Sequence, residues 1–504
     1  MVYLKLDGHD FQYEILDVLK LFLRDEKVIA VDDYNYNDEM GIVIENSIKK
    51  VLEPENGEKH FFKLMTSLKV KGEHFGKFTR DVTELMREYD AKGSHEAVKL
   101  LKREIKRQVY KALSEFTGQE MPWGILTGIR PAKIVHEMLD RGLKKEHILE
   151  QLNNYYFVSR NKAALLYDVS LSEKAVLDST KADTVSIYIG IPFCPTRCLY
   201  CSFTSNPVKK YEKMVEDYIS ALVKEIKSVG RMLTDRKLKV QSIYIGGGTP
   251  TAIDAQYLEG LLKAIEAMFN FDEVEEYTLE AGRPDSITEE KLKVIAKSKV
   301  SRISINPQTM KNETLVRIGR SHTSADIIEA FELARKLGFN NINMDVIAGL
   351  PGEKLNDFLH TLEEIKKLAP ESITVHTMSV KRASRLNNEK ESYNLTDGVE
   401  VAKMVDSAHE FIAKIGLKPY YLYRQKNILG NLENIGYSIP GAESIYNIQI
   451  MEERQTILAL GAGATTKVVY PKENRIERIF NVKSVEEYIS RVDEMIKRKE
   501  NMRF

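Results

Sequence analysis

The run Ser186-Ile-Tyr-Ile-Gly-Ile-Pro-Phe-Cys194-Pro-Thr-Arg-Cys198-Leu-Tyr-Cys201-Ser-Phe203 decides how the rest of the chain is read. Alternating β-branched and aromatic residues make Ser186–Gly190 a strand, which runs straight into a loop bearing C-x3-C-x2-C. These are the only three cysteines among 504 residues. A disulfide framework uses an even, dispersed set in an oxidising compartment, whereas a tight odd cluster points to metal ligation. Structural zinc wants four protein ligands, and the next histidine downstream is His322. A cubane iron–sulfur cluster held by three thiolates keeps one iron without a protein ligand. That iron could chelate the amine and carboxylate of a methionine moiety and pass an electron into an attached sulfonium.

Outward from the cysteines, short apolar runs alternate with longer stretches of helical periodicity, which is βα patterning. Strands are expected at 186–190, 241–246, 275–280, 299–305, 340–349 and 372–378, and amphipathic helices at 211–229, 254–269, 288–297, 324–337 and 355–368. Right-handed crossovers make such a sheet parallel and gather ligands at the carboxyl ends of its strands. Periodicity alone leaves a closed eight-stranded barrel, an open sheet and a six-stranded partial barrel all available. The first 180 residues differ, with strand-like runs at 12–17, 28–32, 41–44 and 60–70 and a helical stretch through 81–116, so a separate α+β domain is expected there. Within it Leu126-Thr-Gly-Ile-Arg-Pro131 is a turn between helices. The basic segment Lys99–Lys111 reads as the solvated face of an amphipathic helix.

Lysine plus arginine and aspartate plus glutamate each total 74. The zero net charge gives no field favouring nucleic acid, and any anionic partner must be held locally. No stretch approaches the ~20 apolar residues of a membrane span, and no secretory or organellar address is visible at the amino terminus. A cytoplasmic protein without a nucleic-acid partner is expected.

With Tyr200 as the aromatic residue, C-x3-C-x-Φ-C resembles the radical S-adenosylmethionine superfamily. The likeness extends through Tyr188-Ile-Gly-Ile-Pro-Phe-Cys194, Gly246-Gly-Gly-Thr-Pro-Thr251, Thr278-Leu-Glu280, Arg302-Ile-Ser-Ile-Asn-Pro-Gln308, Ile318-Gly-Arg320, Asp345-Val-Ile-Ala-Gly-Leu-Pro351 and Gly461-Ala-Gly-Ala464. In order and spacing these resemble the oxygen-independent coproporphyrinogen III dehydrogenases, and the amino-terminal extension resembles the HemZ-type branch. The resemblance implies a partial (βα)6 barrel over 181–380, an added amino-terminal α+β domain over 1–180, and a short α-rich carboxyl-terminal region over 381–504 covering the active site. It implies a [4Fe–4S] cluster on Cys194, Cys198 and Cys201, and S-adenosylmethionine held by Tyr188, Tyr200, Phe203, Gly246, Gly247, Gly248, Thr249, Glu280, Gln308, Arg320 and Asp345. Tyr188 would lie beside the sulfonium. The bidentate fork of Arg320 suits a carboxylate. The glycine run lets a ligand approach the backbone and is expected to leave amide N–H groups free.

The implied reaction is hydrogen abstraction from a propionate side chain of a tetrapyrrole, with an electron donor of flavodoxin or ferredoxin type. His376, Lys381, Arg382 and Arg385 are the candidates for the propionates. The chain departs from the family's best-studied branch at Gly190, where that branch has histidine, and at Phe203, where it has a fourth cysteine. Rival readings are a haem chaperone of the same family, a radical enzyme methylating or opening haem, and a structural zinc protein. The His-Asn-x-x-Tyr-Trp stretch of the chaperones is absent, and Trp123 is the only tryptophan.

Overall fold

All six expected runs after residue 183 form strands of one sheet: Thr184–Ile191, Lys239–Gly247, Glu276–Gly282, Arg302–Ile305, Ile342–Ala348 and Ser372–Thr377. They lie side by side in chain order, each pair parallel. In this computed structural model the described residues are 1–24, 26–32, 41–52, 60–92, 95–203, 205–425, 428–473 and 475–502. The strands are largely apolar along their length because both of their faces are covered, as parallel sheets require. Ile187, Ile189, Ile243, Ile245, Leu279, Ile303, Ile342, Met344 and Val346 are fully buried.

Among the described residues the sheet has eleven strands, and it stays open. Ile457–Leu460 adds a parallel strand beside Thr184–Ile191, followed by the antiparallel Thr465–Tyr470 and Arg475–Phe480. At the other edge Asn434–Ser438 pairs antiparallel with Ser372–Thr377 and with Lys418–Tyr423. The carboxyl-terminal region is thus helical, with Gly398–Lys414, Ile445–Glu452 and Val492–Glu500, and also supplies both flanks of the sheet. The helix expected over 211–229 runs Val215–Asp235 and buries Tyr218, Ile219, Leu222 and Ile226; Met214 precedes it.

By contact the chain divides into two units, Met1–Gly128 with Met138–Tyr167 and Ile129–Glu137 with Asp168–Phe504. The first holds a five-stranded sheet ordered Val28–Val31, Val2–Asp7, Ile42–Leu52, His60–Val70, Glu73–Asp81. The strand expected at 12–17 is instead the start of the helix Gln12–Phe22, whose Ile15, Val18 and Leu19 are buried at helical spacing. The helical stretch expected over 81–116 is two helices, Thr83–Lys92 and His95–Thr117. Residues 93–94 between them lie outside the described ones.

Candidate active site

The cysteine loop leaves the carboxyl end of Thr184–Ile191 and is pinned on several sides. Leu199 N–H donates to Ile318 O at 2.9 Å, Thr196 Oγ1 to Gly319 O at 2.9 Å, and Arg197 Nη2 to Ala383 O at 2.7 Å. Cys194 and Cys198 are buried, and Cys201 is partly exposed. Burial pushes the Cys194 and Cys201 thiols up, while hydrogen bonds from Ser205 and Thr249 and the charge of Arg283 work against this at Cys194. Thr249 Oγ1 lies 3.5 Å from Cys194 Sγ, and Arg283 Nη1 lies 3.6 Å from Cys198 Sγ. Arg283 is held by both oxygens of Asp285 at 2.9 and 2.6 Å. Neither residue was singled out from sequence, although both sit just after the strand that carries Glu280 and flank Pro284 in a turn.

Gly246, Gly247 and Gly248 are required by packing rather than by free amides. A Cβ on Gly248 would stand 2.5 Å from Phe193 O and 3.0 Å from Cys194 Sγ, and one on Gly246 would meet Glu280 at 2.9 Å. Gly247 has φ +109°, a conformation glycine adopts without strain. Contrary to the sequence expectation the amides are engaged: Gly248 N–H donates to Ile191 O at 2.7 Å and Thr249 N–H to Phe193 O at 2.7 Å. The run clamps the cysteine loop against the next strand. Beside it Tyr244 Oη donates to Glu280. Burial pushes the Glu280 carboxyl up to about 7; the Tyr244 hydrogen bond opposes this and the Asp345 charge adds to it. Tyr188, Tyr244 and Tyr446 stack face to face, with centroids 6.3 Å apart for Tyr188–Tyr244 and 4.4 Å for Tyr244–Tyr446. Tyr446 comes from a distant helix and carries no local signal.

The next strand ends complete the arrangement. Tyr200 Oη donates to Gln308 Oε1 at 3.1 Å and receives Arg320 Nη2 at 3.3 Å, while Arg320 Nη1 donates to Asn306 O at 2.7 Å. Arg320 is buried with its Nε lacking any partner. Gln308 has φ +66°, rare for a side chain of its size, and its backbone bridges to the Asp345 strand at 2.9 Å. Asp345 accepts Asn343 Nδ2 at 2.7 Å and lies 3.7 Å from His376 Nε2. Burial would raise its carboxyl, but His376 and Asn343 outweigh burial and hold it below the ordinary value. Phe203 is 65 % exposed with Lys381 Nζ 5.4 Å above its ring, at the rim rather than inside.

Lys381 and Arg382 line an open cavity of about 440 Å³ with Ile129, Tyr423, Arg424 and Gln425. Tyr423 Oη lies 3.3 Å from His376 Nδ1, so one side chain borders both the cavity and the Asp345 site. Arg385 is not brought to this cavity; its guanidinium reaches Glu389 at 3.3 Å. Tyr423, which ends the strand Lys418–Tyr423, and Arg424, which follows it, were missed from sequence because that strand resembles any other edge strand.

Three observations test the fit of a cluster and S-adenosylmethionine. Among the described residues the triplet of His, Cys, Asp or Glu donors whose ligand atoms all lie within 4.8 Å of one another does not include the cysteines. At least one pair of their sulfurs is therefore more than 4.8 Å apart, wider than two thiolates on one zinc ion at about 2.3 Å per Zn–S bond. Gly248 leaves the space beside Cys194 Sγ that any side chain would fill. The unpartnered Nε of buried Arg320 supplies a donor for an anionic group. The residues fit the pair.

Comparison with known proteins agrees. The Radical SAM superfamily model matches residues 188–365. The chain is 45 % identical over 435 residues to the oxygen-independent coproporphyrinogen-III oxidase-like protein HemZ of Bacillus subtilis, covering 85 % of each chain. It is 32 % identical over 282 residues to the heme chaperone HemW of Lactococcus lactis, covering 56 % of this chain and 69 % of that one. In fold it is similar to the solved structure of coproporphyrinogen III oxidase HemN from Escherichia coli, with TM-score 0.50 and 21 % identity over 65 % of this chain and 73 % of that one.

Proposed function

Because this chain belongs to the radical S-adenosylmethionine superfamily, in its oxygen-independent coproporphyrinogen-III oxidase-like branch, we propose that it oxidatively decarboxylates propionate side chains of coproporphyrinogen III. The chemistry supplied by the superfamily's [4Fe–4S] cluster and S-adenosylmethionine, when bound, is one-electron cleavage of the sulfonium to a carbon radical that takes a hydrogen atom from substrate. Cys194, Cys198 and Cys201 would hold three irons. Arg283 and Thr249 steady the Cys198 and Cys194 sulfurs. Arg320 would take a carboxylate, Glu280 and Asp345 would accept from amine and hydroxyl groups, and Tyr188, stacked with Tyr244 and Tyr446, would wall the same site.

The observation that carries the tetrapyrrole is the basic cavity. Lys381, Arg382 and Arg424 line a space that shares Tyr423 with the Asp345–His376 site, which suits a flat substrate bearing several carboxylates. A propionate that loses one hydrogen atom, carbon dioxide and one electron becomes a vinyl group, so the reaction also needs an electron acceptor. Reduction calls for a donor of flavodoxin or ferredoxin type.

Anaerobic incubation of cluster-loaded protein with S-adenosylmethionine, a reductant and coproporphyrinogen III tests this. Release of 5′-deoxyadenosine together with harderoporphyrinogen or protoporphyrinogen is the expected result. Release of 5′-deoxyadenosine without a vinyl product removes this substrate and keeps the radical chemistry. The likeness to a heme chaperone favours a second reading, haem binding without turnover. Stoichiometric haem uptake with no decarboxylation would establish it in place of the first.

A further inference from the structure

Away from the cysteines, three side chains from three helices converge inside the second unit: His136 on Ala132–Asp140, Glu173 on Arg160–Ser179 and Glu452 on Ile445–Glu452. His136 is 1 % exposed, Glu173 0 % and Glu452 6 %. His136 Nε2 lies 2.8 Å from Glu173 Oε2 and 3.8 Å from Glu452 Oε2, and one ligand atom from each residue lies within 4.8 Å of the other two. Neither Glu173 Oε1 nor Glu452 Oε1 has a hydrogen-bond partner.

Two carboxylates taken out of water beside one imidazole are costly to leave uncompensated. Burial, and after it the negative charge of Glu452, push the Glu173 carboxyl well up. Arg130, Lys133 and Arg454 ease the charge on Glu452, but the Arg130 guanidinium lies 2.6 Å from the neighbouring Glu453. The mutual spacings bracket those of ligands about 2.0–2.2 Å from one ion, and imidazole nitrogen and carboxylate oxygen are both zinc donors. The unpartnered oxygens provide the remaining lone pairs.

We propose that His136, Glu173 and Glu452 form a second, cluster-independent site for a divalent transition-metal cation, with zinc as the ion of best-matched ligand set. Its position among three helices makes it a structural clasp of the second unit rather than part of the radical chemistry.

The test loads zinc into full-length protein whose cluster has been reconstituted anaerobically, so that the cysteines are occupied. One zinc per chain should survive desalting, and its X-ray absorption should show nitrogen and oxygen neighbours at about 2.0–2.1 Å. Glu452→Gln and Glu173→Gln should each weaken retention at least tenfold while iron content stays unchanged. Absence of retained zinc in the parent protein overturns the proposal. So does a sulfur shell near 2.3 Å, or equal retention in either variant. The spectroscopic readout decides the question even if a variant fails to fold.

Discussion

Arg283 places a fixed positive charge 3.6 Å from Cys198 Sγ and is itself held by Asp285. Hydrogen bonds and charge at cluster sulfurs set reduction potential. Replacing Arg283 by glutamine removes a charge that favours the more negative, reduced state, so the cluster potential should move to more negative values in a redox titration. An unchanged potential would confine Arg283 to packing. Glu353 is a second single-residue case, 2 % exposed, with Oε1 accepting from Thr309 at 2.6 Å. Burial raises its carboxyl from 4.5 to about 7 against the pull of that hydrogen bond. The folded protein therefore binds the proton more tightly than the unfolded chain. This contribution is fully present below pH 4.5 and is lost as pH rises through 7, by about 3 kcal/mol. Denaturation midpoints at pH 5 and pH 8 should fall further in the parent than in Glu353→Gln; parallel declines would refute the assignment. The placing of the cysteine triplet, Glu280, Gln308, Arg320 and Asp345 at strand ends was legible from sequence because each ends a strand or sits in a short motif. Arg283 and Tyr446 were not, since what matters about them is a through-space neighbour.

At the level of elements, the glycine run acts by contact between two strand ends. A Cβ at Gly248 would strike Phe193 O at 2.5 Å, and a backbone oxygen cannot rotate away. Gly248→Ala should therefore displace the cysteine loop and lower cluster retention severalfold, read as iron per chain, while helix content by circular dichroism is preserved. The last helix is tied down by one buried ion pair: Lys499 Nζ donates to Glu225 Oε1 at 2.8 Å and to Asn481 Oδ1 at 2.7 Å. Gly461 N–H at 2.9 Å, Asn481 Nδ2 at 2.9 Å and Tyr488 Oη also donate to Glu225. Lys499→Met strands the carboxylate and should cost about 3–5 kcal/mol in chemical denaturation, with much of it recovered when Glu225→Gln is added, which removes the charge and keeps an acceptor for the other donors. The helix Gln12–Phe22 shows where element reading failed. Residues 12–17 span less than two helical turns, too short to separate the two periods, and the burial of Ile15, Val18 and Leu19 decided for helix.

Across the whole molecule, the six parallel strands were legible because burial on both faces favours near-continuous apolar runs. The flanks were not, since Lys418–Tyr423, Asn434–Ser438 and Ile457–Leu460 find their places only through pairings with distant segments. The division at Tyr167, inside the helix Arg160–Ser179, was equally hidden, because helical periodicity continues across it. Ile457–Leu460 has one more effect. It borders the strand that leads into the cysteines, yet it is synthesised roughly 250 residues after them. At roughly 5–20 residues per second, the nascent thiols emerge tens of seconds before their sheet is closed on that side. Iron delivered before Ile457–Leu460 has emerged would meet an unfinished cradle, and oxygen in that interval threatens bare sulfur before it threatens any cluster.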